Sequence, residues 1–231
     1  MDGMHLPWPW ILFLALTGIS WLISKQLNSR FKKYSKIPMN LGMTGKDVAE
    51  KMLRDNGIYD VEVKAVRGHL TDHYNPKDKT VNLSESVYHS NGVSAGAVAA
   101  HECGHAVQHA TAYRWLEMRS AIVPVVSFAS NIVQWVLLGG MLLIGVFPQL
   151  LLVGIGLFAL TTIFSFITLP VEVNASKRAI AWMQDANVTS TETKPYAVDA
   201  LRWAAYTYVI AALSSLAMLA YYIMIFLGRR N

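Results

Sequence analysis

Charge is missing from this sequence over two long stretches. Between Ala121 and Val171 there is no Asp, Glu, Lys or Arg, and between Trp203 and Gly228 there is none either. Only 15% of the 231 residues are charged, against about 25% in an ordinary soluble domain. A helix that crosses a bilayer needs about 20 apolar residues, so the first stretch holds two spans and the second holds one. A soluble reading would require several buried helices with no charged face, which excludes that class. Cysteine is nearly absent too. The single Cys103 excludes an intrachain disulfide and agrees with a reducing compartment. Basic residues are absent from positions 1–6, which argues against a cleaved signal peptide with its basic leader. No internal repeat or low-complexity tract occurs.

A further apolar run, Pro7 to Ser24, makes a first span, and it is followed by Lys25, Arg30, Lys32, Lys33 and Lys36. Basic residues favour the cytoplasmic side. With the N-terminus outside, the 14 Lys and Arg between Lys25 and Arg119 and the four between Lys177 and Arg202 fall inside. That is 18 of 20, with Arg229 and Arg230 as the exceptions. The net charge of +5 therefore concerns membrane topology rather than nucleic acid. The expected fold is mostly α, an integral-membrane protein with about four transmembrane helices and a small α+β segment. The expected order is a span at 7–24, a soluble segment at 25–119, spans at 121–145 and 149–169, a soluble segment at 170–202, and a span at 203–227. Gly145 to Gln149, with Pro148, marks the turn between the middle spans.

Within the first soluble segment, Thr44-Gly-Lys-Asp47 has the form of a capping box with Asp in place of Glu. Val48, Met52 and Leu53 follow on one helical face, and Asn56-Gly57 stops the helix. Val61, Val63 and Ala65 alternate with Glu62 and Lys64 as a half-buried strand. Asn75-Pro-Lys-Asp78 is a turn, with Thr80 to Leu83 as the returning strand of a hairpin. A helix is expected from near Ser94 through Gln108 and onward to the membrane near Arg119. In the second span, Ser127, Asn131 and Gln134 form one polar stripe. Such a stripe is expected to face the bundle interior and bond other helices, or to line a substrate groove.

The chemistry lies in His101-Glu-Cys-Gly-His105. Residues four apart on a helix share a face with about 6 Å of rise between them, so two imidazoles can meet one tetrahedral Zn²⁺. Glu102 beside them suits a general base that takes a proton from a zinc-bound water. With seven His and seven Glu in the chain, chance placement gives about 0.006 such motifs. Gly104 leaves room for a neighbouring segment to approach. Catalytic zinc has three protein ligands and one open position. Glu172 is the leading third candidate because it follows the 121–171 run directly, and Ser176, one turn on, could bond a ligand. The alternative is an interfacial Glu paired with Lys177 or Arg178. His109 drifts too far around the helix for a ligand. Cys103 is expected to pack as a small apolar side chain, and His69, His73 and His89 to be loop or strand residues.

His101-Glu-Cys-Gly-His-Ala-Val-Gln108, Asp72-His-Tyr-Asn-Pro76, Thr80-Val-Asn-Leu-Ser84 and Leu169-Pro-Val-Glu-Val-Asn-Ala-Ser-Lys-Arg178 together resemble the bacterial YugP-like neutral zinc metallopeptidases. Thr207-Tyr-Val209 with Ala211-Ala212 is also similar to that family, so the likeness covers nearly the whole chain. More distantly the chain resembles HtpX-like peptidases with their E-x-x-A-D pattern. Glu172 and Ala175 match that pattern, and Ser176 stands in place of its Asp. Asn174 stands where YugP-like relatives are expected to carry an acid. The resemblance implies a gluzincin with a zincin-like catalytic segment, Zn²⁺ on His101, His105 and Glu172, and Glu102 as the catalytic residue. It also implies that the substrate adds to an edge strand ahead of the metal helix, with Thr80 to Ser84 as the candidate edge. His73, Arg178 and Tyr196 are candidates for stabilising the oxyanion.

The leading reading is a membrane-embedded zinc endopeptidase acting on membrane-associated or unfolded proteins, with its active site on the cytoplasmic side of a bacterial inner membrane. Its partners are then a protein or peptide substrate and the lipid bilayer, with no nucleic acid. One alternative is a non-catalytic zinc-containing membrane adaptor or chaperone, for which Glu102 would have no use. A metal transporter is disfavoured because the spans contain no ionisable residue.

Overall fold

The computed structural model describes residues 8–68 and 71–228. His69, the Arg229–Arg230 pair and residues 1–7, where the first expected span begins, lie outside the described residues. The elements run α1 (Trp8–Tyr34), α2 (Gly45–Asp55), β1 (Glu62–Val66), β2 (His73–Asn75), β3 (Thr80–Ser84), α3 (Glu85–Tyr88), α4 (Val93–Ala110), α5 (Arg114–Leu142), α6 (Gln149–Asp185) and α7 (Lys194–Gly228). Among the described residues, four helices (α1, α5, α6 and α7) are long and apolar enough to cross a membrane. The protein is thus mostly helical, with a small α+β part. α1, α6 and α7 extend beyond their charge-free runs, because a change of polarity does not interrupt the backbone hydrogen-bond ladder. α6 even continues through Pro170.

The chain forms two compact units. One comprises Met1–Leu22, Met118–Leu169 and Thr207–Asn231, and the other Ile23–Glu117 and Pro170–Tyr206. In the first unit, Val133, Leu137, Leu151 and Ile155 make the core between α5 and α6. Small residues set the approach of these helices. A Cβ on Gly140 would lie 2.6 Å from the Leu151 backbone, the kind of contact that membrane helices use in place of a hydrophobic driving force. A polar link joins α6 to α7, where the Thr162 and Ser215 hydroxyls are 2.7 Å apart. The polar stripe on α5 departs from expectation. The buried face of α5 carries Val126, Ala129, Val133, Leu137 and Gly140, while Ser127, Asn131 and Gln134 are exposed. They do not point into the bundle. Periodicity shows that residues share a face but not which face the neighbouring helices cover.

In the second unit, α2 begins with the expected capping box. Thr44 Oγ1 accepts the Asp47 N–H, and the Asp47 carboxylate accepts the Thr44 N–H. The helix ends at Asn56-Gly57, with Gly57 at φ +71°, a conformation open to glycine without penalty. Val48, Met52 and Leu53 pack with Val81, Leu83, Val93, Cys103 and Val107 in one core, closed by Ala179 and Met183 of α6 and by Leu201 of α7. The sheet order is β1-β3-β2. β1 runs parallel to β3, with Val63 opposite Val81, and β2 runs antiparallel to it, with Tyr74 opposite Val81. The hairpin around Asn75–Asp78 therefore pairs β3 with a three-residue strand. Thr80–Ser84 is consequently no edge. It is the central strand, buried at all five positions, and β1 and β2 are the outer strands of the described sheet. The metal-motif helix also ends earlier than expected. α4 stops at Ala110, and Ala112 at φ +48° turns the chain before α5 starts at Arg114.

Candidate metal centre

α4 and α6 cross closely because Gly104 lacks a side chain. A Cβ there would stand 2.7 Å from the Ala175 carbonyl oxygen. That crossing places His101 and His105 of α4 beside Glu172 of α6. Their ligand atoms all lie within 4.8 Å of one another. Glu172 Oε2 is 3.2 Å from His101 Nε2 and 3.6 Å from His105 Nε2. Donors about 2.0–2.1 Å from a tetrahedral zinc ion stand about 3.3 Å apart, so the spacing fits that ion. Two imidazoles and one carboxylate also leave the fourth position that a catalytic site needs. Lys177 and Arg178 do not take Glu172. Arg178 Nε instead donates to Asn174 Oδ1 at 2.8 Å.

The rings are held from behind. Gln108 is fully buried, and its Nε2 donates to the Val171 carbonyl and to Asn174 Oδ1. Its Oε1 is thereby turned to His105 Nδ1 at 3.0 Å. A carbonyl oxygen only accepts, so Nδ1 carries the proton and Nε2 keeps its lone pair for a metal. Ser176 Oγ stands 3.1 Å from His101 Nδ1, in the supporting place expected for it. Burial alone would lower the His105 pKa, but the hydrogen bond to Glu172 and the charges of Glu102 and Glu172 reverse this and raise it. A metal would displace that proton, so proton and metal compete for Nε2.

Glu102 is 9% exposed, and its Oε2 accepts the Tyr74 backbone N–H at 3.0 Å. Neither the motif nor the strand pattern announced this bond. The Tyr74 phenol meets His109 Nδ1 at 2.8 Å, so His109 supports the β2 side and does not join the donor cluster. His73 is an exposed residue of β2. Its Nδ1 is 2.7 Å from the Thr71 carbonyl, and its Nε2 faces Asn82 Nδ2. That arrangement makes Nε2 an acceptor, the wrong polarity for an oxyanion. Tyr196 stacks on Tyr34 at 5.1 Å, and nothing ties it to the donor cluster. His89 caps α3. Cys103 is buried with Sγ toward the Ala49 carbonyl, and burial pushes its thiol pKa well up.

The crossing makes one expected outcome specific. Gly104→Ala sets a methyl group against main chain, so α4 and α6 must part. We expect a loss of about 1–3 kcal/mol in stability together with weaker zinc binding. Calorimetry and zinc titration would measure both, and unchanged values would refute the role given to the close approach.

A family model described as "putative neutral zinc metallopeptidase" matches residues 9–227. The chain is also 44% identical over 222 residues to the "Putative membrane protease YugP" of Bacillus subtilis (strain 168), covering 95% of this chain and 97% of that protein. No solved structure matches significantly. With the match running through both units and through the histidine and glutamate helices, the chain belongs to this family of neutral zinc metallopeptidases, carried on four membrane-type helices.

Proposed function

We propose that the protein is a membrane-bound zinc endopeptidase of the gluzincin type, with His101, His105 and Glu172 as metal ligands and Glu102 as general base. The observation that carries this reading is the convergence of the three donors beside a carboxylate already anchored by main chain. Zinc held there supplies Lewis acidity and brings the pKa of bound water to about 7. Glu102 has one oxygen fixed on the Tyr74 N–H, which leaves Oε1 to receive a proton and pass it to the leaving amine. Gln108 and Ser176 keep both imidazoles turned so that Nε2 faces inward. A purely structural site would have no use for Glu102.

β2 takes over the substrate role that Thr80–Ser84 cannot fill. It is an outer strand directly beside the base, so an extended peptide can lie along it through groups other than the Tyr74 N–H, which Glu102 holds. Peptides N-methylated around the scissile bond should then be cut poorly, and equal cleavage would remove the strand reading. Glu172 follows the 121–171 charge-free run directly. We therefore place the centre at the membrane face and favour membrane-associated or unfolded proteins as substrates. The positions of 18 of the 20 basic residues support a cytoplasmic location for that face, on the inner membrane of a bacterium in this reading. A Lys33→Cys variant labelled from outside the cell would reverse the sidedness, and buried Cys103 keeps that assay clean. The main test is metal removal. Chelation of the detergent-purified chain should abolish cleavage of an unfolded protein, and zinc should restore it. Turnover that survives full zinc removal would end the proposal.

A further inference from the structure

The exposed polar stripe of α5 has no partner among the described residues of this chain. Ser127, Asn131 and Gln134 lie at i, i+4 and i+7 and fall within about 60° of one another around the helix. They are turned well away from the buried face of Val126, Ala129, Val133, Leu137 and Gly140. The helix spans the bilayer by its length and composition, and Asn131 sits near the middle of the 121–145 apolar run, where no water competes for its amide. Two carboxamides and a hydroxyl aimed into hydrocarbon are unfavourable unless another helix accepts them. Phe128 and Trp135 beside the stripe are 66% and 70% exposed as well, so this whole face of α5 is uncovered in the single chain.

We propose that this face is the contact between two copies of the chain, related by a two-fold axis that brings α5 against α5. The stripe contains no charge, so an ion-paired partner has nothing to recognise. Asn131 and Gln134 each carry both a donor and an acceptor, and the same stripe on a second copy, turned by 180° about the membrane normal, satisfies both. That self-complementarity is what an isologous interface requires. Phe128 and Trp135, about 80–100° around the helix from Ser127, then add apolar packing along one side of the polar centre. The inference does not depend on the catalytic assignment, and its readout is association rather than turnover.

The test uses the full chain in liposomes at low protein-to-lipid ratio. Cys103 is buried and silent, so single cysteines can be introduced at Ser127 on the stripe and at exposed Val153 on α6 as control. Under mild oxidation, Ser127→Cys should form a chain-to-chain disulfide and Val153→Cys should not. Adding Asn131→Leu and Gln134→Leu should cut the Ser127→Cys yield by about tenfold, with zinc content unchanged as proof of folding. Equal cross-linking at the two positions, or no loss of yield in the leucine variant, would overturn the proposal. So would a wild type that photobleaches in single steps, and a monomer in which Asn131→Leu abolishes turnover would assign the stripe to substrate instead.

Discussion

Glu102→Gln is expected to lower turnover by about 10²- to 10⁴-fold while leaving bound zinc and thermal stability nearly unchanged. The magnitude is what a positioned general base contributes. The selectivity comes from the local structure. Glu102 accepts a backbone N–H from Tyr74, and the carbonyl oxygen of glutamine can accept the same bond in the same volume. The fold therefore keeps its contact, and the donor cluster of His101, His105 and Glu172 is untouched. What glutamine cannot do is take a proton. Cleavage of a fluorescent unfolded-protein substrate, paired with metal analysis of the same preparation, separates the two roles. Turnover equal to wild type would remove Glu102 from the mechanism, and lost zinc would show that it serves the site structurally.

The second large effect is expected at Glu172. Substitution by alanine should weaken zinc binding by more than about 100-fold, since even groups that only support a ligand are worth 10- to 100-fold. Glu172 is 3% exposed and bridges the two imidazoles, so its loss removes one of three donors and one of the polar links between α4 and α6 at once. Glu172→Gln keeps the volume and one acceptor oxygen but removes the charge. It should therefore fold more stably than Glu172→Ala while still binding zinc weakly. Competition titration with a chromophoric chelator measures the affinity. Unchanged affinity in both variants would take Glu172 out of the ligand set.

Local features of the site were legible in the sequence, and features made by distant packing were not. His101 and His105 could be paired from spacing because helix geometry alone fixes their relation. Glu172 stood out because an acid ends a long charge-free run, and Ser176 followed from its place one turn on. Gly104 was readable as a point of close approach, although Ala175 as its neighbour was not. The sheet order was beyond reach. Val61–Ala65 and Thr80–Leu83 both read as strands, but which of them is central depends on the three-residue β2, too short to carry a period. The stripe at Ser127, Asn131 and Gln134 was visible as a stripe, yet its direction depends on which residues α6 covers. Gln108 escaped notice for the same reason. Its value lies in one carbonyl and one amide on α6, 63 and 66 residues away in the chain.

The bond between Tyr74 and Glu102 has a bearing on how this centre tolerates change. Its donor is a peptide group, so nineteen of the twenty residues could occupy position 74 and still orient the base. Only proline, with no N–H, would abolish it. The phenol is free to be selected for something else, such as its contact with His109. A carboxylate steered by the main chain is shielded from mutational drift at the residue that steers it. A scan of position 74 should therefore show a flat profile for the base with a single sharp break, and the requirement it reveals is written in backbone rather than in any letter of the sequence.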